Sequence, residues 1–158
     1  MHPHEQLIHD FYSAFKERNH EAMAVCYHPE IRFSDPAFPD LRGPRAAAMW
    51  RMLCERGTDL ELEYSQVEAD ETTGSAHWQA RYTFRATRRK VHNKISAQFR
   101  FRDGKIVEHR DRFDFWAWSR QALGPAGLLL GWTPLLRRKV QRTAGSQLDR
   151  CCENWGIE

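Results

Sequence analysis

Residues 104–116 read GKIVEHRDRFDFW, and their strict alternation of side-chain types predicts a β-strand. His109 and Asp111 fall on one face of this strand together with two phenylalanines, whereas Arg110 and Arg112 fall on the other. If the His109 face is buried, an ionisable pair lies in an aromatic interior, where it costs free energy unless it is paired, hydrated or used in chemistry. In the alternative, the stretch is an ordinary salt-bridged sheet surface.

The two segments before this strand indicate which face is buried. Residues 75–87 and 91–102 each alternate a bulky, mostly aromatic face with a polar face rich in arginine. If the final strand follows the same pattern, its phenylalanines are buried, and His109 and Asp111 lie inside with them. We therefore expect an ionisable pair in the interior and the arginines of all three strands outside.

The first 116 residues predict helices followed by an antiparallel meander. Apolar residues recur at spacings of three and four in the helical segments, and Asn19 and Pro44 are typical of helix starts. Clusters of turn residues separate the later strands. The predicted helices cover residues 5–18, 19–26 and 44–57, and the predicted strands cover residues 31–35, 60–67, 75–87, 91–102 and 105–116.

The short strand over residues 31–35 carries a second unusual acid. Asp35 shares a face with Ile31 and Phe33, and a proline ends the strand directly after it. Such an acid either reaches the same interior as Asp111 or binds the backbone of the proline-rich loop that follows. Both roles remain open at this point.

Length, charge and cysteine content exclude several classes of protein. The 158 residues suffice for about one domain, and 24 basic against 21 acidic residues give a net charge of +3, too balanced to indicate nucleic-acid binding. No targeting segment or membrane-spanning run is visible, so we expect a cytoplasmic protein. The four cysteines form no CxxC unit and are expected to be free thiols. His28, His77 and His92 show no HxxxH or HxH spacing with carboxylates, and no phosphate-binding glycine loop is present, so we expect no metal and no cofactor.

Residues 117–158 differ in character and are expected to form a helical C-terminal extension packed on the domain of residues 1–116. An apolar segment over residues 127–132 precedes a final helix that begins at Pro134, with Thr133 as its N-cap. A lid over the sheet or a dimer contact is the favoured role of this extension. Membrane-surface contact by the apolar segment and its basic neighbours is the less favoured alternative.

Two motifs resemble those of a known superfamily: HPEIRFSDP over residues 28–36 and DGKIVEHRDRFD over residues 103–114. With three helices before a curved antiparallel sheet, residues 4–116 resemble the nuclear transport factor 2-like superfamily, and within it the SnoaL-like polyketide cyclase and ketosteroid isomerase branch. The resemblance implies a cone-shaped α+β barrel, in which the sheet wraps around the helices and leaves an apolar pocket. This fold serves isomerases, cyclases, dehydratases, hydrolases and non-catalytic binders alike.

The resemblance carries over only part of the ketosteroid isomerase machinery. Asp35 matches the general base of that enzyme, which moves a proton between carbons of an enolisable ketone. The position of its oxyanion tyrosine holds Phe11, with Tyr12 next to it, and the position of its protonated aspartate holds Ala97. A base without those donors leaves a developing enolate unstabilised. The resemblance therefore does not extend to steroid isomerisation by the same machinery.

Asp111 matches a second acid of the superfamily. SnoaL-like cyclases use an acid at this position of the last strand in proton transfer. In limonene epoxide hydrolase the position belongs to an Asp-Arg-Asp group, whose other carboxylate falls near Ala80 or Tyr82 in this chain, so that group is incomplete. The resemblance leaves Asp35 and Asp111 as an acid–base pair, with His109 as a candidate donor to an oxyanion.

Two functions remain open for this domain. One is a cofactor-independent isomerase, cyclase or lyase that moves a proton alpha to the carbonyl of a small hydrophobic molecule. The other is a non-catalytic ligand-binding or dimerisation module of the same fold. In either case we expect a small hydrophobic ligand and a homodimer. The arginine-rich sheet face is compatible with a sheet-to-sheet dimer if acidic residues pair with its arginines. The candidate catalytic residues are Asp35, His109 and Asp111, and the candidate ligand contacts are Phe33, Trp50, Trp78, Tyr82, Phe99 and Phe113.

Overall fold

Caps and turns divide the chain into six helices and six strands in a computed structural model that describes residues 1–158. The helices are α1 (Pro3–Lys16), α2 (His20–Val25), α3 (Pro44–Arg56), α4 (Phe115–Leu123), α5 (Pro125–Leu130) and α6 (Pro134–Trp155). The strands are β1 (Tyr27–Ser34), β2 (Leu41–Arg42), β3 (Glu61–Ala69), β4 (Thr73–Phe84), β5 (Arg89–Arg102) and β6 (Lys105–Arg112).

The helix starts follow the signals in the sequence. The side chains of Asn19 and Thr133 each accept a hydrogen bond from a backbone N–H in the first turn, of α2 and α6 respectively. Pro44 is the first residue of α3, where its missing N–H is not needed, and Gly43 before it adopts a φ of 57°. The three predicted N-terminal helices and the final helix are confirmed.

The strands form one curved sheet in the order β2-β1-β6-β5-β4-β3. The pairs from β3 to β6 are antiparallel, as predicted for a meander, but β1 runs parallel to β6. The cone-shaped α+β fold is confirmed, with a sheet that curves around the helices without closing, because β2 and β3 remain as its edges. The parallel pair aligns the end of β1 with the end of β6.

The face of β6 that carries His109 and Asp111 is buried, as the alternating pattern of the neighbouring strands predicts. His109 is 1% exposed and Asp111 is 3% exposed, whereas Arg110 and Arg112 face solvent. On the outer face, Glu108 pairs with arginines of β5 and β6 at 3.7 and 3.9 Å. Exposed ion pairs of this kind contribute little to the free energy of folding. The inner face of β6 therefore contributes more to stability than its outer face.

The structure corrects two details of the predicted strands. The prediction that the last strand continues to residue 116 is wrong, because Asp114 accepts a hydrogen bond from the N–H of Ala117 and starts α4. Phe115 is therefore buried as a helical residue. The sequence also failed to indicate β2, which has only two residues, Leu41 and Arg42, and pairs with β1 from within the predicted loop.

The C-terminal helices contribute buried residues to the hydrophobic core. Leu148 of α6 is fully buried in the main hydrophobic cluster, together with Cys151 and Cys152. Phe115 and Trp118 of α4 form a second cluster with a valine of β5. All four cysteines are free thiols, as predicted. No helix combines the length and the hydropathy that a membrane span requires.

Truncation of Leu148 tests whether α6 is part of the core. We expect Leu148→Ala to lower the free energy of unfolding by about 2–5 kcal/mol, because it removes a fully buried side chain and leaves a cavity. The matched control is Leu129→Ala on α5, where the leucine is 68% exposed and the loss should stay within about 0.5 kcal/mol. Urea denaturation measures both. Equal losses would contradict a structural role for α6.

Candidate active site

A chain of hydrogen-bonded side chains crosses the core and ends at a carboxylate. Trp50 of α3 donates its indole N–H to Tyr27 Oη at 2.8 Å, and Tyr27 Oη lies 2.7 Å from His109 Nδ1. His109 Nε2 in turn lies 2.9 Å from Asp111 Oδ1. Trp78 of β4 approaches the same oxygen with its indole N–H at 3.4 Å. Helix α3 and strands β1, β4 and β6 are thus linked through one polar path.

The direction of the hydrogen bonds follows from which atoms can only donate. An indole N–H only donates, so Tyr27 Oη accepts from Trp50. An ionised carboxylate only accepts, so His109 donates from Nε2 to Asp111. With a neutral imidazole, Nδ1 then carries a lone pair and accepts the hydroxyl hydrogen of Tyr27. Both ring nitrogens are occupied within the protein. In this arrangement His109 orients Asp111 and has no free N–H to offer an oxyanion.

Aromatic rings hold His109 on several sides. Trp50 stacks nearly parallel to the imidazole at a centroid distance of 5.9 Å, and Phe33 meets it edge-on at 5.0 Å. Phe99 lies at 4.5 Å on another side. These three predicted ligand contacts are each no more than 2% exposed. In the structure they form the wall that fixes His109, and their contact with a ligand stays a prediction.

The parallel pairing of β1 and β6 brings the two predicted acids together. Phe33 pairs with His109 and Ser34 with the residue after it, so the register places Asp35 next to Asp111. Asp35 Oδ1 accepts the backbone N–H groups of the two residues after Pro36, at 2.7 and 2.6 Å. The two roles that the sequence left open for Asp35 are thus combined in one side chain, which binds the loop and faces the interior.

The environment of Asp35 raises the pKa of its carboxyl to about 7. Burial is the largest cause, and the negative charge of Asp111 raises it further. The two backbone N–H groups and the positive charge of Arg137 on α6 oppose this increase. The side chain of Asp35 nevertheless remains partly accessible to solvent. The carboxyl therefore exchanges its proton near neutral pH.

Each of the two acids keeps one oxygen atom free. Asp35 and Asp111 both use Oδ1 for all of their hydrogen bonds to the protein, and neither Oδ2 has a protein partner. Tyr12 Oη is the only buried side-chain polar atom without a partner. The side chain of Asp35 is partly accessible, whereas Asp111 is only 3% exposed. Asp35 is therefore the acid whose free oxygen can exchange a proton with a small ligand.

The hydroxyl of Tyr12 is sealed in the core next to the site. Its side chain is fully buried, and burial followed by the charge of Asp111 raises its pKa well above the ordinary value. Phe11 occupies the position matched to the isomerase tyrosine and is also fully buried. The hydroxyl of Tyr12 is thus a donor near Asp111 that has no hydrogen-bond partner and no contact with solvent. Such a buried, unpaired hydroxyl lowers the stability of the folded protein.

Tyr82 and Asn93 place two further hydrogen-bond donors on the inner face of the sheet. The sequence did not identify either residue as a donor. Tyr82 Oη accepts the indole N–H of Trp118 at 2.8 Å, which leaves its own hydrogen free. Burial raises the pKa of Tyr82, the bond from Trp118 lowers it, and the charge of Asp35 raises it. Asn93 is 9% exposed on the inner face of β5, and its amide, which is not sealed from solvent, makes no hydrogen bond with the protein. The sequence carried a signal that Asn93 faces inward, because it lies two residues before Ile95 and shares a strand face with the apolar residues of β5.

Helix α6 lies close to Asp35. Gln141 of α6 donates its side-chain N–H to the carbonyl oxygen of Pro36 at 3.1 Å, and the positive charge of Arg137 on the same helix acts on Asp35. Of the predicted ligand contacts, Tyr82 and Phe113 are partly exposed, whereas Trp78 is buried. A recess of about 680 Å³ lies on the polar outer side of the sheet and does not include either acid.

Comparison with known proteins gives the family. Residues 8–109 match the family model described as a SnoaL-like domain. The chain belongs to the SnoaL-like domain family. The match spans β1 and Asp35, and it ends at His109, so the three C-terminal helices of this SnoaL-like protein lie outside it. No curated protein matches the sequence.

Solved structures of the same fold have low sequence identity to this SnoaL-like protein. An LEH-like epoxide hydrolase from M. tuberculosis is 19% identical, with a TM-score of 0.62 over 79% of this chain and 93% of the other. A protein from Catenulispora acidiphila DSM 44928 with a ketosteroid isomerase-like fold, in complex with trimethylamine, is 12% identical, with a TM-score of 0.66 over 81% and 97%. A protein from Xanthomonas campestris pv. campestris, provisionally described as a polyketide cyclase, is 17% identical, with a TM-score of 0.62 over 73% and 93%. These likenesses show the fold alone.

Two tyrosine-to-phenylalanine variants test the polar chain. Tyr27→Phe leaves both the Trp50 N–H and His109 Nδ1 without partners in the core, and we expect it to lower the free energy of unfolding by at least about 1–3 kcal/mol. Tyr12→Phe removes a hydroxyl that has no partner, so it should be neutral or stabilising. Urea denaturation of both variants at one pH measures this. The reverse order of stability would contradict the assigned hydrogen bonds.

The pKa of Asp35 predicts a pH-dependent difference between the wild type and Asp35→Asn. Between its ordinary value near 4 and about 7, the folded protein keeps a proton on Asp35 that the unfolded chain has lost, so this group lowers stability as pH rises through that window. The asparagine oxygen still accepts both loop N–H groups and does not titrate. Relative to the wild type, the variant should gain about 2–4 kcal/mol between pH 4 and pH 8. A difference that stays constant with pH would contradict the raised pKa.

Proposed function

We propose that this SnoaL-like protein is a cofactor-independent isomerase, cyclase or lyase that moves a proton alpha to the carbonyl of a small hydrophobic molecule. The observation that carries the proposal is the pKa of about 7 at Asp35, a partly accessible carboxyl that lies beside Asp111. Proton transfer by a side chain is most effective when its pKa lies near the working pH. A structural carboxylate bound only to loop backbone has no need of such a value.

Asp35 is the base in the proposed step. Its free Oδ2 takes a proton from the carbon next to a carbonyl, the C–H bond breaks, and the electron pair moves into the carbonyl to form an enolate oxygen. The protonated Asp35 then returns the proton to another carbon, or to the same one. No oxidant, metal or other co-reactant takes part in this cycle, in which charge and protons balance.

Tyr82 is the proposed donor to the enolate oxygen, because its hydroxyl hydrogen has no acceptor in the protein and the group lies within the electrostatic reach of Asp35. The unpaired amide of Asn93 on the neighbouring strand is the second candidate. These two residues take the role for which the matched positions Phe11 and Ala97 offer no donor. His109 acts as a positioning residue that orients Asp111.

A non-catalytic ligand-binding module is the second candidate function. The observation that favours it is the closure of the interior, because His109 and Asp111 are nearly inaccessible and both nitrogens of His109 are bound within the protein. In this case a small hydrophobic molecule binds beside the partly accessible Asp35, and the acids only orient it. Binding without proton exchange is the behaviour that separates this function from catalysis.

Solvent deuterium exchange tests the proposed chemistry. With 1-tetralone as an enolisable apolar ketone in D₂O, proton NMR should show loss of the alpha-proton signal that is faster with wild-type protein than with buffer. Asp35→Asn should lower the protein-dependent rate by about 100-fold or more, because it removes the base. Tyr82→Phe should lower it by about tenfold or more through loss of a donor. The wild-type rate should fall as pH decreases below about 7, because Asp35 becomes protonated.

Asp40→Asn is the matched control, because Asp40 lies in the same loop, is exposed and pairs only with Arg42. It should leave the exchange rate unchanged. Equal rates for wild type, Asp35→Asn and Asp40→Asn would exclude Asp35 as the base. Binding of the ketone without any exchange would support the ligand-binding module instead.

A further inference from the structure

The segment between α4 and α6 exposes large apolar side chains in a compact group. Leu128, Leu129, Leu130, Trp132 and Leu135 are 51%, 68%, 50%, 74% and 74% exposed, and we call these five residues the apolar tip. Single exposed leucines are ordinary on protein surfaces, but adjoining ones of this size mark a site of contact. The tip lies outside the residues that match the SnoaL-like family model.

Helix α5 turns its small residues toward the protein and its large apolar residues toward solvent, which is the reverse of an ordinary amphipathic helix. A Cβ atom on Gly127 would lie 1.9 Å from the carbonyl oxygen of Ser119, and one on Gly131 would lie 2.0 Å from Ser119 Oγ. The two glycines therefore allow the backbone to pack tightly on α4. Their close approach turns the three intervening leucines toward solvent. Packing on α4 thus uses the glycines and leaves the leucines exposed.

The indole groups of the tip region satisfy their polar atoms locally. Trp132 donates its N–H to the carbonyl oxygen of Leu129 at 2.9 Å, and Trp116 donates to that of Leu128 at 3.1 Å. The apolar part of Trp132 remains exposed. A tryptophan with its N–H already bonded is suited to the boundary between water and an apolar phase.

Basic residues continue the surface of the tip along α6. Arg138, Lys139 and Arg142 follow Leu135 at spacings of three, four and seven, so they share its helix face, and all three are exposed. No Asp or Glu occurs between Phe115 and Leu148. The exposed face of this part of the chain is therefore apolar at the tip and positively charged behind it.

We propose that the apolar tip and the basic face of α6 dock on a lipid bilayer that contains anionic headgroups. Leucine and tryptophan side chains enter the acyl boundary while arginine and lysine bind phosphates, which is the pattern of surface-bound helices. Charge complementarity favours this occupant over a second copy of the chain. A two-fold contact through the tip would bring two basic faces together without acids to pair with them.

Docking in this orientation would place the bilayer on the side of the molecule that carries Asp35. The same helix that carries the basic face contacts the Pro36 loop through Gln141, and α4, which supports the tip, contacts Tyr82 through Trp118. A small hydrophobic ligand that partitions into the membrane would then approach Asp35 from the bilayer. The docking proposal itself does not depend on catalysis.

Vesicle co-sedimentation of the full chain tests the proposal. Wild-type protein should pellet with vesicles of phosphatidylcholine and phosphatidylserine, much less with phosphatidylcholine alone, and less as salt rises. The apolar variant Leu129→Ser/Trp132→Ser/Leu135→Ser and the charge variant Arg138→Gln/Lys139→Gln/Arg142→Gln should each lose about tenfold or more in affinity. Circular dichroism melts identify a variant that has lost its fold, and the wild-type lipid comparison remains decisive in that case.

Matched controls come from the opposite end of the sheet and from other surfaces. Val25→Ser removes an exposed apolar side chain next to Lys105, at the start of β6, and should bind like the wild type. Lys16→Gln/Arg32→Gln/Lys94→Gln changes the charge by the same amount on exposed residues without bonded partners and should lose less than the α6 variant. The proposal is overturned if wild-type protein does not bind anionic vesicles, or if the apolar variant and Val25→Ser bind them equally well. It is also overturned if light scattering finds a dimer that only the apolar variant dissociates.

Discussion

The buried contact between His109 and Asp111 is the constraint on which the rest of the structure depends. Both side chains are nearly inaccessible, at a distance of 2.9 Å, so every hydrogen-bonding position on them has to be satisfied or used. Tyr27 and Trp50 meet this demand from β1 and α3. Because β1 is aligned with β6 by parallel pairing, the same arrangement brings Asp35 next to Asp111. Burial raises the pKa of Asp35, and the charge of Asp111 raises it further. One buried pair thus determines how α3 packs and what proton chemistry is open to Asp35.

The sequence predicted the faces of the strands better than their ends. Alternation over the last three strands identified His109 and Asp111 as interior residues, because a half-buried sheet repeats every two residues. The same alternation continued through Phe115, but in the structure Asp114 caps the first turn of α4 and the strand ends before it. The two residues of β2 are too few to leave any pattern.

The candidate site was predictable only in part, for a physical reason. Asp35, His109 and Asp111 stand out because ionisable residues share faces with aromatic ones. The partners of His109 come from positions far away along the chain, and no local pattern predicts a contact across 82 residues. The free hydrogen of Tyr82 depends on Trp118 in a helix beyond the family match. Asn93, in contrast, lies in phase with Ile95 and could have been identified from the sequence.

The molecule has a closed interior and an exposed end. Aromatic rings surround His109, whereas the C-terminal helices expose large apolar side chains. The proposed chemistry depends on a proton that Asp35 exchanges near neutral pH. A carbon NMR titration of protein labelled at the aspartate carboxyl groups, compared with Asp35→Asn, measures this exchange. We expect one carboxyl signal that titrates at about pH 7 and is absent from the variant. If the signal that the variant lacks titrates near pH 4 instead, Asp35 does not exchange a proton near neutral pH and the proposed chemistry is excluded.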